Sequence, residues 1–195
     1  INESRQEMAH VHSTIFSPDG EFLVVADLGT NKIYSYAFSQ SDDEPASLCS
    51  TFDARPGDGP RHVLFSTDGK TVFVVHELTA ILEIFDFEAG KLIPRQRLSL
   101  LANNFEGSVG AAEVRITPDE KHIYVSNRGE ANSISVFQKV EATQDFERIQ
   151  VISSGGIMPR NFNLTSDGKY LICAHQASND IVIFKRDSVS GILTK

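Results

Sequence analysis

Arg61 and Glu77 stand sixteen residues apart, with Asp68-Gly69 midway between them. If that dipeptide turns an antiparallel hairpin, residues at equal distance from it face each other, and the guanidinium meets the carboxylate at the open end. The same rule sets His12 opposite Asp27 and Arg160 opposite Gln176. It sets Arg128 opposite Ala112, whose small side chain leaves room for a long one. His62 follows Arg61 directly. A carboxylate kept ionised by an arginine, with an imidazole nearby, is equipment for general acid–base chemistry. Arginines beside it would bind phosphate or carboxylate through paired hydrogen bonds. An isolated arginine–glutamate pair at a hairpin end is more often a solvated ion pair worth about 0–1 kcal/mol.

The elements that must position these residues form four copies of one pattern. They are HSTIFSPDGEFLVVADLGTNKIYSYAF (12–38), RHVLFSTDGKTVFVVHELTAILEIFDF (61–87), AEVRITPDEKHIYVSNRGEANSISVF (112–137) and RNFNLTSDGKYLICAHQASNDIVIF (160–184). The turn aspartates Asp19, Asp68, Asp119 and Asp167 recur at intervals of 49, 51 and 48 residues. Each copy runs strand, tight turn, strand, short loop, strand, with stretches such as Lys91 to Leu98 and Arg148 to Ile152 supplying a fourth. Asp-Gly suggests a two-residue hairpin turn. Second strands such as Phe22–Ala26 and Val72–Val75 are apolar on both faces, which fits strands covered on both sides. No helical period stands out; Leu98 to Phe105 offers a turn or two at most.

A strand-and-turn repeat of about fifty residues predicts an all-β propeller of four-stranded antiparallel blades. The blades fall at roughly 10–53, 60–99, 112–152 and 160–195 in one unit without a second domain, the last strand barely begun at Leu193. An incomplete ring would leave open edges, so this reads as part of a larger propeller, closed by further blades or by self-association. With the first strand innermost, His12, Arg61, His62, Glu77, Arg128 and Arg160 gather at the channel mouth. The column holding Glu77 contains Leu28, Arg128 and Gln176 in the other copies. A scaffold role would favour one residue type there, whereas an asymmetric site needs several.

The net charge of −8 excludes a phosphate-backbone partner, so no nucleic acid is expected. No apolar run approaches the roughly 20 residues that span a bilayer, so no membrane partner is expected. Cys49 and Cys173 have no spacing partner for zinc or a disulfide framework and fit a reducing, cytoplasmic setting. No dinucleotide fingerprint is present, and Gly107-Ser108-Val109-Gly110 has the wrong spacing for a nucleophile elbow. Neither cofactor nor metal is expected. Glu77 and Asn127 offer oxygens to a calcium ion, but three neighbouring arginines would repel it.

The motifs GPRH with Glu sixteen residues after its arginine, AAE with IYVSNRG, and PRNFN resemble the bacterial 6-phosphogluconolactonase family, over essentially the whole chain. That family of seven-bladed propellers also includes the fungal carboxy-muconate lactonising enzyme. The resemblance implies catalytic roles for His12, Arg61, Glu77 and Arg128, and roughly three blades plus a closing strand beyond this chain. His76 stands where the family usually has Asn. The expected activity is opening of 6-phosphoglucono-1,5-lactone, a pentose-phosphate-pathway reaction on a small anionic sugar lactone, with little turnover from a partial ring. Glu77 or His12 would be the base and Arg128 the oxyanion donor. His62, Arg160 and Gln176 would bind substrate, the phosphate falling to Arg160 and His62 on charge alone. A muconate-type lactonising enzyme on the same scaffold is the alternative, and a non-catalytic binding propeller the third. Absence of Trp disfavours a WD-repeat adaptor.

Overall fold

The computed structural model describes residues 2–39 and 43–195, and among these there are strands and turns but no helix. Sixteen strands make four antiparallel sheets in chain order. The first holds β1 (Val11–Phe16), β2 (Phe22–Asp27), β3 (Lys32–Phe38) and β4 (Ala46–Asp53); the second holds β5 (Pro60–Phe65), β6 (Thr71–His76), β7 (Ile81–Glu88) and β8 (Lys91–Ser99). The third holds β9 (Val109–Ile116), β10 (His122–Gly129), β11 (Ser133–Lys139) and β12 (Phe146–Ser153). The fourth holds β13 (Pro159–Leu164), β14 (Tyr170–His175), β15 (Ile181–Arg186) and a two-residue β16 (Leu193–Thr194). These are the blades of a propeller fragment. They fall into two compact units, Ile1–Arg97 and Leu98–Lys195, of two blades each.

The turn aspartates do not make two-residue hairpins. β5 ends at Phe65 and β6 resumes at Thr71. Between them Gly69 N–H donates to the Ser66 carbonyl at 3.0 Å, with Gly69 at φ 71°. The Asp68 carboxylate accepts from the Ser66 hydroxyl (2.6 Å) and the Lys70 N–H (3.0 Å), fastening the loop from inside. Hydroxyl and carboxylate pair in the same way at Ser17–Asp19, Thr117–Asp119 and Thr165–Asp167. In the third blade Glu120 takes the left-handed position at φ 55°, where the others have glycine.

Every first strand carries one irregularity in its pairing with the second. Pro60 pairs with His76 and His62 with Val75, so Arg61 is an extra residue. His12 and Arg160 are extra in the same way, and in the third blade Ala112 and Glu113 together face Ser126. These β-bulges correct the simple mirror rule. Val11, not His12, lies opposite Asp27, and Arg128 lies opposite Gly110, not Ala112. Glu77 N–H bonds to Gly59 and Gln176 N–H to Met158, so neither has Arg61 or Arg160 as its backbone partner. A bulge re-aims the side chain it inserts, and here it does so at the column that should do chemistry.

Within the first unit, β5 packs against β1 and β2, with first strands nearest each other. Val24, Ala26, Ile33, Val63, Val72, Val74, Phe85 and Phe87 form the shared core. Phe85 meets Phe52 edge to face at 4.8 Å. In the second unit Tyr124, Ile134, Val136, Phe162, Leu171 and Phe184 do the same. The second blade also carries a buried ionic network. Arg97 Nη1 on β8 lies 3.0 Å from Asp58 Oδ2 and 2.7 Å from Glu83 Oε2, and His76 Nε2 lies 2.8 Å from Glu83 Oε2. Thr79 donates to Asp58 at 2.9 Å. Burial alone would raise both carboxyls, but Arg97 and His76 outweigh it and hold them below their ordinary values. Arg97 is likewise raised: burial would lower it, and the two carboxylates prevail.

Two stability predictions result. Phe85→Ala should cost about 3–5 kcal/mol in chemical denaturation, the sum of lost transfer and residual cavity. Arg97→Gln leaves two buried carboxylates short of a cation and should cost about 3 kcal/mol at neutral pH. Because Asp58 and Glu83 are depressed in the folded state, their contribution is complete above the unfolded carboxylate value near 4 and is lost as pH falls through the lower folded values. The Arg97→Gln protein should therefore lose less of its stability on acidification below about pH 4 than the wild type. Parallel slopes in the two proteins would refute this role of Arg97.

Candidate active site

Glu77 follows the last residue of β6, one position past its ladder, with its side chain only 3% exposed. Arg61, the bulge residue of β5, places Nε 2.9 Å from Glu77 Oε2 and is itself 5% exposed. The predicted pairing is therefore made, but by a side chain reaching past the bulge rather than by facing backbone positions. Arg5, from the segment before β1, places Nη2 2.6 Å from Glu77 Oε1 and stays 44% exposed. One carboxylate thus lies between two guanidinium groups, one on each oxygen.

His12, the bulge residue of β1, directs Nε2 to 4.0 Å from Glu77 Oε2. Its Nδ1 lies 3.0 Å from the His10 carbonyl. A carbonyl can only accept, so Nδ1 carries a proton, and in the neutral ring Nε2 presents its lone pair toward the carboxylate side. His62 Nε2 lies 2.7 Å from Arg61 Nη1. Arginine can only donate, so this nitrogen accepts, and only Nδ1 of His62 could donate to an anion. Asp27 belongs to the loop instead: its Oδ1 accepts from the N–H groups of His10, Gly29 and Thr30 at 2.7, 2.9 and 3.1 Å.

The remaining expected residues belong to the second unit. Arg128 is nearly buried and donates through Nε to the Gly110 carbonyl (2.9 Å) and through Nη2 to that of Ala111 (3.4 Å). Arg160 is exposed and reaches Gln176 Oε1 at 3.3 Å. Three polar residues escaped the sequence reading. Arg5 precedes the first repeat, where no periodicity draws attention. Glu113 is buried, with Oε1 2.5 Å from Arg115 Nη1 and Oε2 accepting from Asn161. A signal for the last two existed: the position after each bulge is polar, Ser13, His62, Glu113 and Asn161, in otherwise apolar strands.

Three arrangements that imitate other chemistry do not perform it. Among the described residues, the metal-ligand cluster is Asp58, His76 and Glu83. The Arg97 guanidinium already bridges its two carboxylates, so a dication would have to displace a cation. Glu77 and Asn127 fare no better with calcium. Both Glu77 oxygens face arginines, and Asn127 Oδ1 accepts from Gly110 N–H at 2.9 Å. Cys173, His175 and Asp180 run in sequence like a nucleophile triad, with Sγ 3.8 Å from Nε2 and Nδ1 2.9 Å from Asp180. Burial pushes the thiol up to about 12, and Cys173 is fully buried, so no thiolate is available.

Residues 1–195 match a family model described as a lactonase with a seven-bladed β-propeller. An uncharacterised protein of Staphylococcus saprophyticus is 38% identical over 188 residues, covering 96% of this chain and 53% of that protein. Among solved structures, the periplasmic gluconolactonase of Pseudomonas aeruginosa superposes with TM-score 0.93 at 32% identity, over 97% of this chain and 53% of that one. A candidate 6-phosphogluconolactonase of Bacteroides fragilis gives TM-score 0.88 at 32% identity, over 100% of this chain and 55% of that one. The chain therefore spans about half the length of the relatives it matches.

Proposed function

Since this chain belongs to the family of seven-bladed β-propeller lactonases, we propose that it supplies the acid–base centre of a lactone hydrolase. The substrate we assign is an anionic sugar lactone of the 6-phosphoglucono-1,5-lactone kind. The observation that carries the reading is the His12–Glu77 arrangement, an imidazole nitrogen 4.0 Å from a carboxylate fixed by two arginines.

Of the two candidate bases, His12 is the better suited. Glu77 already accepts from a guanidinium on each oxygen. His12 Nε2 is partly exposed, with its tautomer set by the His10 carbonyl. Water attacks the lactone carbonyl carbon while Nε2 takes its proton, giving a tetrahedral oxyanion and an imidazolium. The negative Glu77, on the Nε2 side of the ring, stabilises that imidazolium by charge attraction. The intermediate collapses with cleavage of the ring C–O bond, and the imidazolium returns the proton to the departing alkoxide. The product is the open hydroxy acid, and the atoms of one water are consumed.

The first test is hydrolysis of 6-phosphoglucono-1,5-lactone by the full-length protein, all blades present, with the spontaneous rate subtracted. Turnover above background is expected, and none would reject the hydrolase and direct attention to muconate-type substrates. His12→Asn should lower kcat by about 10²-fold or more, the usual contribution of a positioned base. Glu77→Gln should lower it less, by roughly tenfold, the kinetic equivalent of about 1.4 kcal/mol of charge interaction across 4.0 Å, because it removes a charge beside the imidazolium and not the base. The opposite order of the two losses would make Glu77 the base.

A further inference from the structure

Arg5 holds Glu77 but moves no proton in the acid–base step, and it is the most accessible charge on Glu77. Its side chain is 44% exposed, against 5% for Arg61 and 3% for Glu77. One nitrogen, Nη2, rests on Glu77 Oε1 at 2.6 Å, and Glu77 is the only ion-pair partner of Arg5 among the described residues. A guanidinium has five N–H donors in a planar fork, so most of those of Arg5 remain for a ligand. Two arginines face the Glu77 carboxylate here, while the neighbouring Glu7, which Arg5 also attracts, is paired with His10.

The segment carrying Arg5 is built to hold it there. Arg5 N–H and Gln6 N–H both donate to the Asn2 carbonyl, at 3.1 and 2.8 Å, closing a tight turn. Gln6 Nε2 then donates to the Leu28 carbonyl (2.9 Å) and Asn31 Oδ1 (3.1 Å), tying the turn to the loop after β2. Met8 crosses directly over Gly29, where a Cβ would lie 1.7 Å from the Met8 carbonyl oxygen and 2.8 Å from the His10 nitrogen. Only glycine admits the strap at this height. The geometry fixes a half-exposed guanidinium beside the catalytic pair, on a strap anchored at two points.

We propose that Arg5 is a specificity-determining residue that binds the anionic oxygen group of the substrate, a phosphate monoester in the first instance, while Nη2 stays on Glu77. The proposal rests on the lactone-hydrolase reading and deepens it. Arg5 is a better holder of that group than His62, whose Nε2 is occupied in accepting from Arg61. Arg160, exposed and on Gln176, is the rival.

The test compares kcat/KM for 6-phosphoglucono-1,5-lactone with that for glucono-1,5-lactone, which lacks the phosphate. Taking the ratio cancels any effect of Arg5 that acts through Glu77 alike on both substrates. Arg5→Gln should lower the ratio by tenfold or more, the effect of one charge-assisted bidentate contact. Gly29→Ala, which lifts the strap and leaves every charge in place, should lower it in the same direction. A fall of less than threefold in Arg5→Gln overturns the proposal, as does a fall in Arg160→Gln instead. If the full-length wild-type protein opens neither lactone, the hydrolase reading fails separately. Calorimetric titration with 6-phosphogluconate and with gluconate then decides on Arg5 alone. A phosphate preference that Arg5→Gln abolishes supports it; equal affinities in the wild type overturn it.

Discussion

A carboxylate taken almost wholly out of water requires a cation on it, and Glu77 has two. Everything around the site answers to that requirement. Arg61 must be turned out of its strand to reach Glu77, and the bulge in β5 turns it. Arg5 must be held from outside the sheets, and the strap over Gly29 holds it. His12 is presented by the corresponding bulge one blade earlier. Removing either arginine would leave a buried charge under-compensated, a far larger penalty than loss of a surface ion pair.

A second buried ionic network, Asp58–His76–Glu83–Arg97, sits behind the first and steadies the same two chain segments. Asp58 accepts the Leu78 N–H through its carbonyl, and Gly59 accepts the Glu77 N–H. The loop that leads to Arg61 is thus laced to the residues that follow β6. His76, where related chains are expected to have Asn, takes part through Glu83. The two networks divide the work: one faces the site, while the other draws together the lead-in to β5 and the strands β6, β7 and β8 of that blade.

Much of this was legible in the sequence. The spacing of Asp19, Asp68, Asp119 and Asp167 gave the blades, because a repeated turn demands the same residues each time. The nearness of Arg61 to Glu77 followed from hairpin symmetry, although the backbone pairing is offset. The offset was hidden because a bulge has no fixed residue: His12, Ala112 and the two arginines Arg61 and Arg160 have no residue type common to all four. The turn type was misjudged because Asp-Gly also closes longer loops when the aspartate caps a serine or threonine. Arg5 could not be found, since a residue outside the repeat has no column in which to look unusual. Glu113 and Asn161 could have been found, being polar in a column flanked by apolar positions.

The recurring bulge has a consequence for how such a chain can change. An extra residue in a strand leaves the ladder on either side intact whatever side chain it bears, because its identity is not needed to keep register. Imidazole, guanidinium and methyl groups already occupy the equivalent place in successive blades. Each blade therefore offers an interchangeable socket at one fixed spot, insulated from the packing that keeps the sheet folded. Where the socket's side chain does not neutralise a buried charge, as Arg61 does for Glu77, a substitution there alters what the protein touches and leaves the strand pairing in place. One scaffold can in this way be recruited to new ligands a single residue at a time.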